Sequence, residues 1–171
     1  MLKRRQFIQS LSTASIGPLF VGHLELLGTQ RGFKASLNPG AVGLKCTPDQ
    51  LLDYAIKYNF SSISPPLNDL IKFQDTNKRS YLNKMHQNRI IFDSGGLPID
   101  FRTSDSKFQE GFQFLKKNIK TIMSLNITSF VTWIMPTHKN LTYILNFKQH
   151  TTRLKKVASL LDDAGMKLGL E

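Results

Sequence analysis

The sequence predicts an α/β fold in which short parallel strands alternate with amphipathic helices. Three observations carry this. After residue 33, helical runs that end at Asn or Gly are each followed at once by a β-branched or aromatic run. These boundaries recur roughly 30–40 residues apart, the length of one βα unit. Polar and turn-forming residues also collect in the loops that follow the strands, while the opposite junctions are terse. Alternation of this kind implies a parallel sheet with right-handed crossovers. Two architectures fit: a doubly wound open sheet, or a (β/α)8 TIM barrel truncated after about five strands and four helices. No Gly-x-Gly-x-x-Gly follows the first strand, which weakens a dinucleotide-binding sheet. A complete barrel needs about 250 residues, more than the 171 of this chain.

In chain order, residues 1–30 stand apart. Lys3-Arg4-Arg5-Gln6-Phe7-Ile8 is a basic stretch with paired arginines, and a mildly apolar run from Leu11 to Phe20 follows. The segment resembles a twin-arginine export signal, without an obvious small-x-small cleavage site before Gln30. It implies an exported or periplasmic protein; read as a plain basic N-terminus, it leaves the protein cytoplasmic. Residues 33–171 form the barrel-like part. The first strand is Lys34–Leu37 or Ala41–Leu44. Thr47-Pro48-Asp49-Gln50 has the form of a capping box with Pro at the first helical position, and feeds Leu51, Leu52, Ala55 and Ile56. Asn59 precedes strand Phe60–Ile63; a weakly patterned helix between Thr76 and Gln87 leads to Asn88, Arg89 and strand Ile90–Phe92. Ser106 with Gln109 suggests a second box, followed by Phe108, Phe112, Leu115, Ile119 and Ile122 at helical spacing. Asn126 then precedes strand Ile127–Ile134. In the last helix Ile144, Phe147, Thr151, Leu154, Val157 and Leu161 make the apolar face, and Gly165 precedes strand Met166–Leu170. Asn and Gly suit these junctions because they take the left-handed conformation that closes a helix.

Composition bounds the function. With 40% hydrophobic residues and twelve Phe, the chain can build a core. The net charge of +11 invites a polyanionic partner. Its lysines are scattered over helix faces rather than gathered in a patch, so a solvated basic surface is expected and nucleic acid is not. The lone Cys46 excludes an internal disulfide framework and a Cys-based zinc site. No run approaches the ~20 apolar residues of a membrane-spanning helix.

The strand-end loops carry the most specific signal. Ser36-Leu37-Asn38-Pro39-Gly40-Ala41, Gly96-Leu97-Pro98-Ile99-Asp100-Phe101-Arg102, Trp133-Ile134-Met135-Pro136-Thr137-His138 with Leu141-Thr142-Tyr143, and Leu168-Gly169-Leu170-Glu171 occur in that order. Together they resemble the sugar phosphate isomerase/epimerase family of xylose-isomerase-like TIM barrels, from about Ala35 to Glu171. The resemblance implies a small sugar or sugar phosphate as partner and proton transfer next to a sugar carbonyl. A divalent metal (Mn, Mg, Co or Zn) would be held by a Glu on strand five, an Asp on strand six, a His on strand seven and a Glu on strand eight. Glu171 matches the first ligand, as metal ligand and catalytic residue; the others have no counterpart in this sequence. The chain is then a fragment or a degenerate relative, expected to bind metal weakly and to self-associate through exposed sheet edges.

The remaining candidates are substrate contacts. Trp133 offers an indole face to a sugar ring, or fills the barrel. Asp100 and Arg102 can bind substrate oxygens, with Arg102 able to fork onto a phosphate, or they pair with each other. His138 can meet a substrate hydroxyl, ligate zinc as in a DNA-repair relative of this barrel, or simply be solvated in its loop; Asn38 is a substrate contact or an Asn-Pro turn former. His86 and His150, inside helices, read as surface residues, and His23 lies in the leader. A zinc-dependent abasic-site endonuclease shares the barrel, but it places a His at the tip of strand three, where this chain has Gly95-Gly96-Leu97-Pro98. A non-catalytic carbohydrate-binding remnant is the third reading.

Overall fold

A computed structural model describes residues 35–171; the export-signal reading of residues 1–30, with Arg4, Arg5 and His23, lies outside the described residues. Strands β1 (Ser36–Leu37), β2 (Ser62–Ile63) and β3 (Ile91–Phe92) form one parallel sheet. Strands β4 (Gly95–Gly96), β5 (Ser129–Thr132) and β6 (Lys167–Leu170) form a second, also parallel. Five helices intervene: α1 (Pro48–Lys57), the single turn α2 (Leu67–Leu70), α3 (Asp75–Gln87), α4 (Asp105–Ser124) and α5 (Tyr143–Asp162). Only Asp93 and Ser94 separate β3 from β4. The third expected strand is thus one path with a break, its first half on β2 and its second half on β5. Five strand positions follow one another as expected, and α2 is the helix that periodicity did not reveal. Among the described residues, β1 and β6 each pair on one side only, and no helix is long and apolar enough to cross a membrane.

The helix ends obey the local chemistry. Asn59 (φ 58°), Asn126 (φ 58°) and Gly165 (φ 70°) take the left-handed conformation that turns a helix into the next strand. At the α3 end it is Arg89 (φ 55°), not Asn88, that does so; Asn88 instead donates through its side-chain amide to the Lys84 carbonyl at 2.8 Å. The Thr47 box is complete: Gln50 N–H donates to Thr47 Oγ1 at 3.3 Å, and Thr47 N–H to Gln50 Oε1 at 3.0 Å. The expected second box is displaced. Ser104, not Ser106, caps α4, accepting from Lys107 N–H, because the helix already begins at Asp105. Of the two alternatives for the first strand, β1 at Ser36–Leu37 falls in the first; residues 41–43 form a turn.

Alternation along the strands sets the two faces. Leu37, Ile63, Phe130 and Thr132 are buried, the first three in one continuous core with Leu51, Leu52, Ala55, Phe108, Leu115 and Leu161. Each such large side chain removed from water contributes about 1.5–3 kcal/mol. Ser36 and Ile91 lie on the other, open face. Gly95 permits the crossing between the sheets: a Cβ there would lie 3.0 Å from Pro65 and 3.2 Å from the Phe130 ring.

Candidate functional site

The open face carries its chemistry at the strand ends. Because Thr132 faces Leu170 in the β5–β6 register, Trp133 and Glu171 lie one residue further on as neighbours. Ladder hydrogen bonds continue there, from Glu171 N–H to the Thr132 carbonyl and from Ile134 N–H to the Glu171 carbonyl, both at 2.9 Å. Both side chains share the face opposite Phe130 and Thr132, and both are exposed, Trp133 by 55%. The Arg102 guanidinium stacks on the indole, with Cζ 4.3 Å from the ring centroid. Arg102 is held in turn by Asp100, whose Oδ1 accepts from Arg102 Nε at 2.9 Å and from its backbone N–H at 3.0 Å. Burial alone would raise the Asp100 carboxyl; the Arg102 hydrogen bonds and charge outweigh it and hold Asp100 below the usual carboxylate range. Asp100, Arg102, Trp133 and Glu171 are therefore brought together.

Two other expected contacts are not part of that group. Asn38 Oδ1 accepts from Gly40 N–H (3.0 Å) and Ala41 N–H (3.3 Å), which makes it the turn former after β1. His138 turns into its own loop, where Nδ1 accepts from Asn140 N–H at 3.0 Å.

Two groups escaped the sequence reading. Asp93 follows β3 directly, and its Oδ2 accepts from the hydroxyls of Ser36 and Ser64, so one carboxylate ties the ends of three strands. Its Oδ1 is buried without a partner. A carboxylate placed straight after an apolar strand is the same signal that singles out Glu171, and it marks Asp93 equally well. The second group is a buried polar stripe on α5, made of Asn146, His150 and Arg153. His150 is a correction: it is only 4% exposed, set edge-on against Phe101 with centroids 4.9 Å apart, and neither ring nitrogen has a partner. Burial lowers its pKa, and the nearby charges of Arg102 and Arg153 add to the effect. The spacing 146, 150, 153 is itself helical, which was the available clue.

Among the described residues no three His, Cys, Asp or Glu side chains converge on a point. A zinc-type site takes three or more protein ligands; among the described residues Glu171 has no such companions, so the donors present do not fit one. An apolar cavity of about 550 Å³ has no lining from Glu171 or Trp133. It lies between α5 and β6, against Phe147, His150, Leu154 and Leu168, and reaches the strand ends at Leu170 and at Ile134, Met135 and Pro136 in the loop after β5.

No protein-family model and no curated protein sequence matches the chain. Solved structures do. A xylose isomerase domain protein from Alicyclobacillus acidocaldarius subsp. acidocaldarius superposes with a TM-score of 0.65 at 19% identity, over 80% of this chain and 49% of that one. The IolI protein, solved with a binding zinc atom, gives 0.65 at 14% identity, over 81% and 51%. D-psicose 3-epimerase from Clostridium cellulolyticum H10, solved with D-tagatose, gives 0.60 at 11%, over 80% and 51%. The chain spans about half the length of these proteins, and the described residues have the fold of a xylose isomerase-like TIM barrel over that half.

Proposed function

We propose that the open face of this half-barrel is the substrate rim of a sugar isomerase or epimerase, and that its own contribution is to bind and orient a small sugar. The observation that carries the reading is the indole of Trp133. It is exposed at a strand end, backed by Arg102 on one face and flanked by the Glu171 strand. An indole face suits the apolar C–H face of a sugar ring, and carboxylates and guanidinium groups beside it accept from and donate to hydroxyls. Arg102, already neutralised by Asp100, favours hydroxyls over a phosphate. Glu171 is the carboxylate positioned to take or hold a proton next to a sugar carbonyl. The metal assistance expected of such chemistry has only this one candidate ligand here, and no step is derived through it.

The reading is tested by saturation-transfer NMR with D-tagatose and D-fructose. Transfer to the sugar protons is expected from the native chain and should be lost in Trp133→Ala while the fold is retained. Equal transfer from both proteins, or none from either, would remove the rim as a sugar site.

A further inference from the structure

We infer that Arg153 is a positioning residue: from α5 it fixes the loop that lays Arg102 over Trp133. Arg153 is buried, with only 8% of the residue exposed. Nη1 donates to the carbonyls of Phe101 (2.9 Å) and Thr103 (2.6 Å), the two residues that bracket Arg102. Nη2 reaches Asp105 Oδ1 at 3.4 Å, at the first turn of α4, and Cζ lies 4.9 Å from the Phe108 ring centroid. Burying a guanidinium is costly unless it is hydrogen-bonded, and here most of its bonds go to one loop. The same helix holds the other partner of the stack: Asn146 Nδ2 donates to the Met135 carbonyl at 3.0 Å, two residues beyond Trp133. His150, between them in sequence, packs on Phe101. One helix face thereby sets two loops against each other, and Arg102 meets Trp133 where they touch.

Neither propensity nor apolar packing explains this choice of residues. A leucine at 153 would satisfy a core position but would leave two loop carbonyls without donors. A lysine would keep the charge but could not span both carbonyls from a rigid fork. The functional meaning of the stack rests on the proposed sugar rim; its geometry does not, and fluorescence quenching probes that geometry without a sugar.

Trp133 is the only tryptophan in the chain, so its emission reports this contact alone. Iodide quenching is favoured by a cation beside the indole and acrylamide quenching is not, so their ratio reads whether Arg102 covers the ring. Arg102→Ala sets the value for the uncovered indole. Arg153→Met is expected to bring the ratio close to that value, with occupancy of the stack falling by about two- to fivefold, as for loss of a surface cation–π contact. Arg153→Lys should fall between. A purely structural role would lower the melting temperature and leave the native-state ratio unchanged. A native ratio in folded Arg153→Met would overturn the inference, as would an Arg102→Ala ratio equal to that of the unaltered chain. If Arg153→Met does not fold, Arg153→Lys decides: an unchanged ratio refutes the role and a reduced one supports it.

Discussion

Helices α4 and α5 are each 20 residues long and each follows a Ser or Thr N-cap, yet they use their sequences in opposite ways. In α4 the apolar repeat and the buried face coincide: Phe108, Phe112, Leu115 and Ile122 are all buried. In α5 they coincide only from Leu154 onward. Over the first turns the apolar residues point out, with Ile144 74% and Phe147 61% exposed, while Asn146, His150 and Arg153 are buried. The difference comes from what each helix covers. α4 lies over the continuous core, where burial is the only demand. The start of α5 meets the backbone of two strand-end loops, whose carbonyls require donors. Burial of a polar face here marks a helix that meets loop backbone, and its outward-turned apolar residues are the complement.

That contrast is open to direct attack, and the largest expected effect is in α4. Phe108→Ala should cost about 3–5 kcal/mol, the usual range for emptying a buried aromatic site, whereas Phe147→Ala should stay within about 0.5 kcal/mol. Urea unfolding of the two variants measures both. Comparable losses would mean that Phe147 is covered and that the two helices do not differ.

A smaller effect is expected from pH. His150 is held below its ordinary pKa of 6.5 in the folded chain, so between the folded and unfolded values the unfolded state binds more protons. Stability should therefore be full above about pH 6.5 and decline as the pH falls through that value. The charges facing His150 are Arg102 and Arg153, neither of which supplies an anion to hold the protonated ring. Replacing His150 by Phe should flatten melting temperature against pH between about 5 and 7; an unchanged slope would place the dependence on other groups.

The smallest effect is expected at the rim. Asp100→Asn breaks an ion pair whose carboxylate is 56% exposed, and surface pairs are worth about 0–1 kcal/mol. Melting should hardly move. A loss of several kcal/mol would show that Asp100 carries the loop and that Arg153 does not.

The contrast between the helices also explains how much could be read from the chain itself. The parallel α/β order, the five strand positions and the Thr47 box follow from local chemistry, and so do the left-handed residues Asn59, Asn126 and Gly165. Each depends on residues close in sequence. The pairing of Asp100 with Arg102 is legible for the same reason, since a single residue separates them. Arg102 on Trp133, the serines on Asp93 and Arg153 on the 101–103 carbonyls join positions separated by about 30 to 57 residues. Periodicity holds no information about such partners. It also assigns apolar residues to the inside, which is why Ile144 and Phe147 read as core and His150 as surface. What betrayed α5 was the polar stripe, a repeat as regular as the apolar one.

The break at Asp93 and Ser94 has a consequence for motion. No ladder hydrogen bond passes from the β1–β2–β3 sheet to the β4–β5–β6 sheet, although the apolar core runs unbroken beneath both. Across the gap the backbone is joined by the chain itself, while Ser36 and Ser64 anchor Asp93 on one side and Ser94 meets Ser129 at 2.8 Å on the other. Such a junction is expected to act as a crease in a sheet glued to a firm backing, flexing without parting the layers. Amide hydrogen exchange should resolve two cooperative units that meet at this crease, with the strand ends of Asp93 and Trp133 free to shift relative to each other while the helices beneath them stay closed.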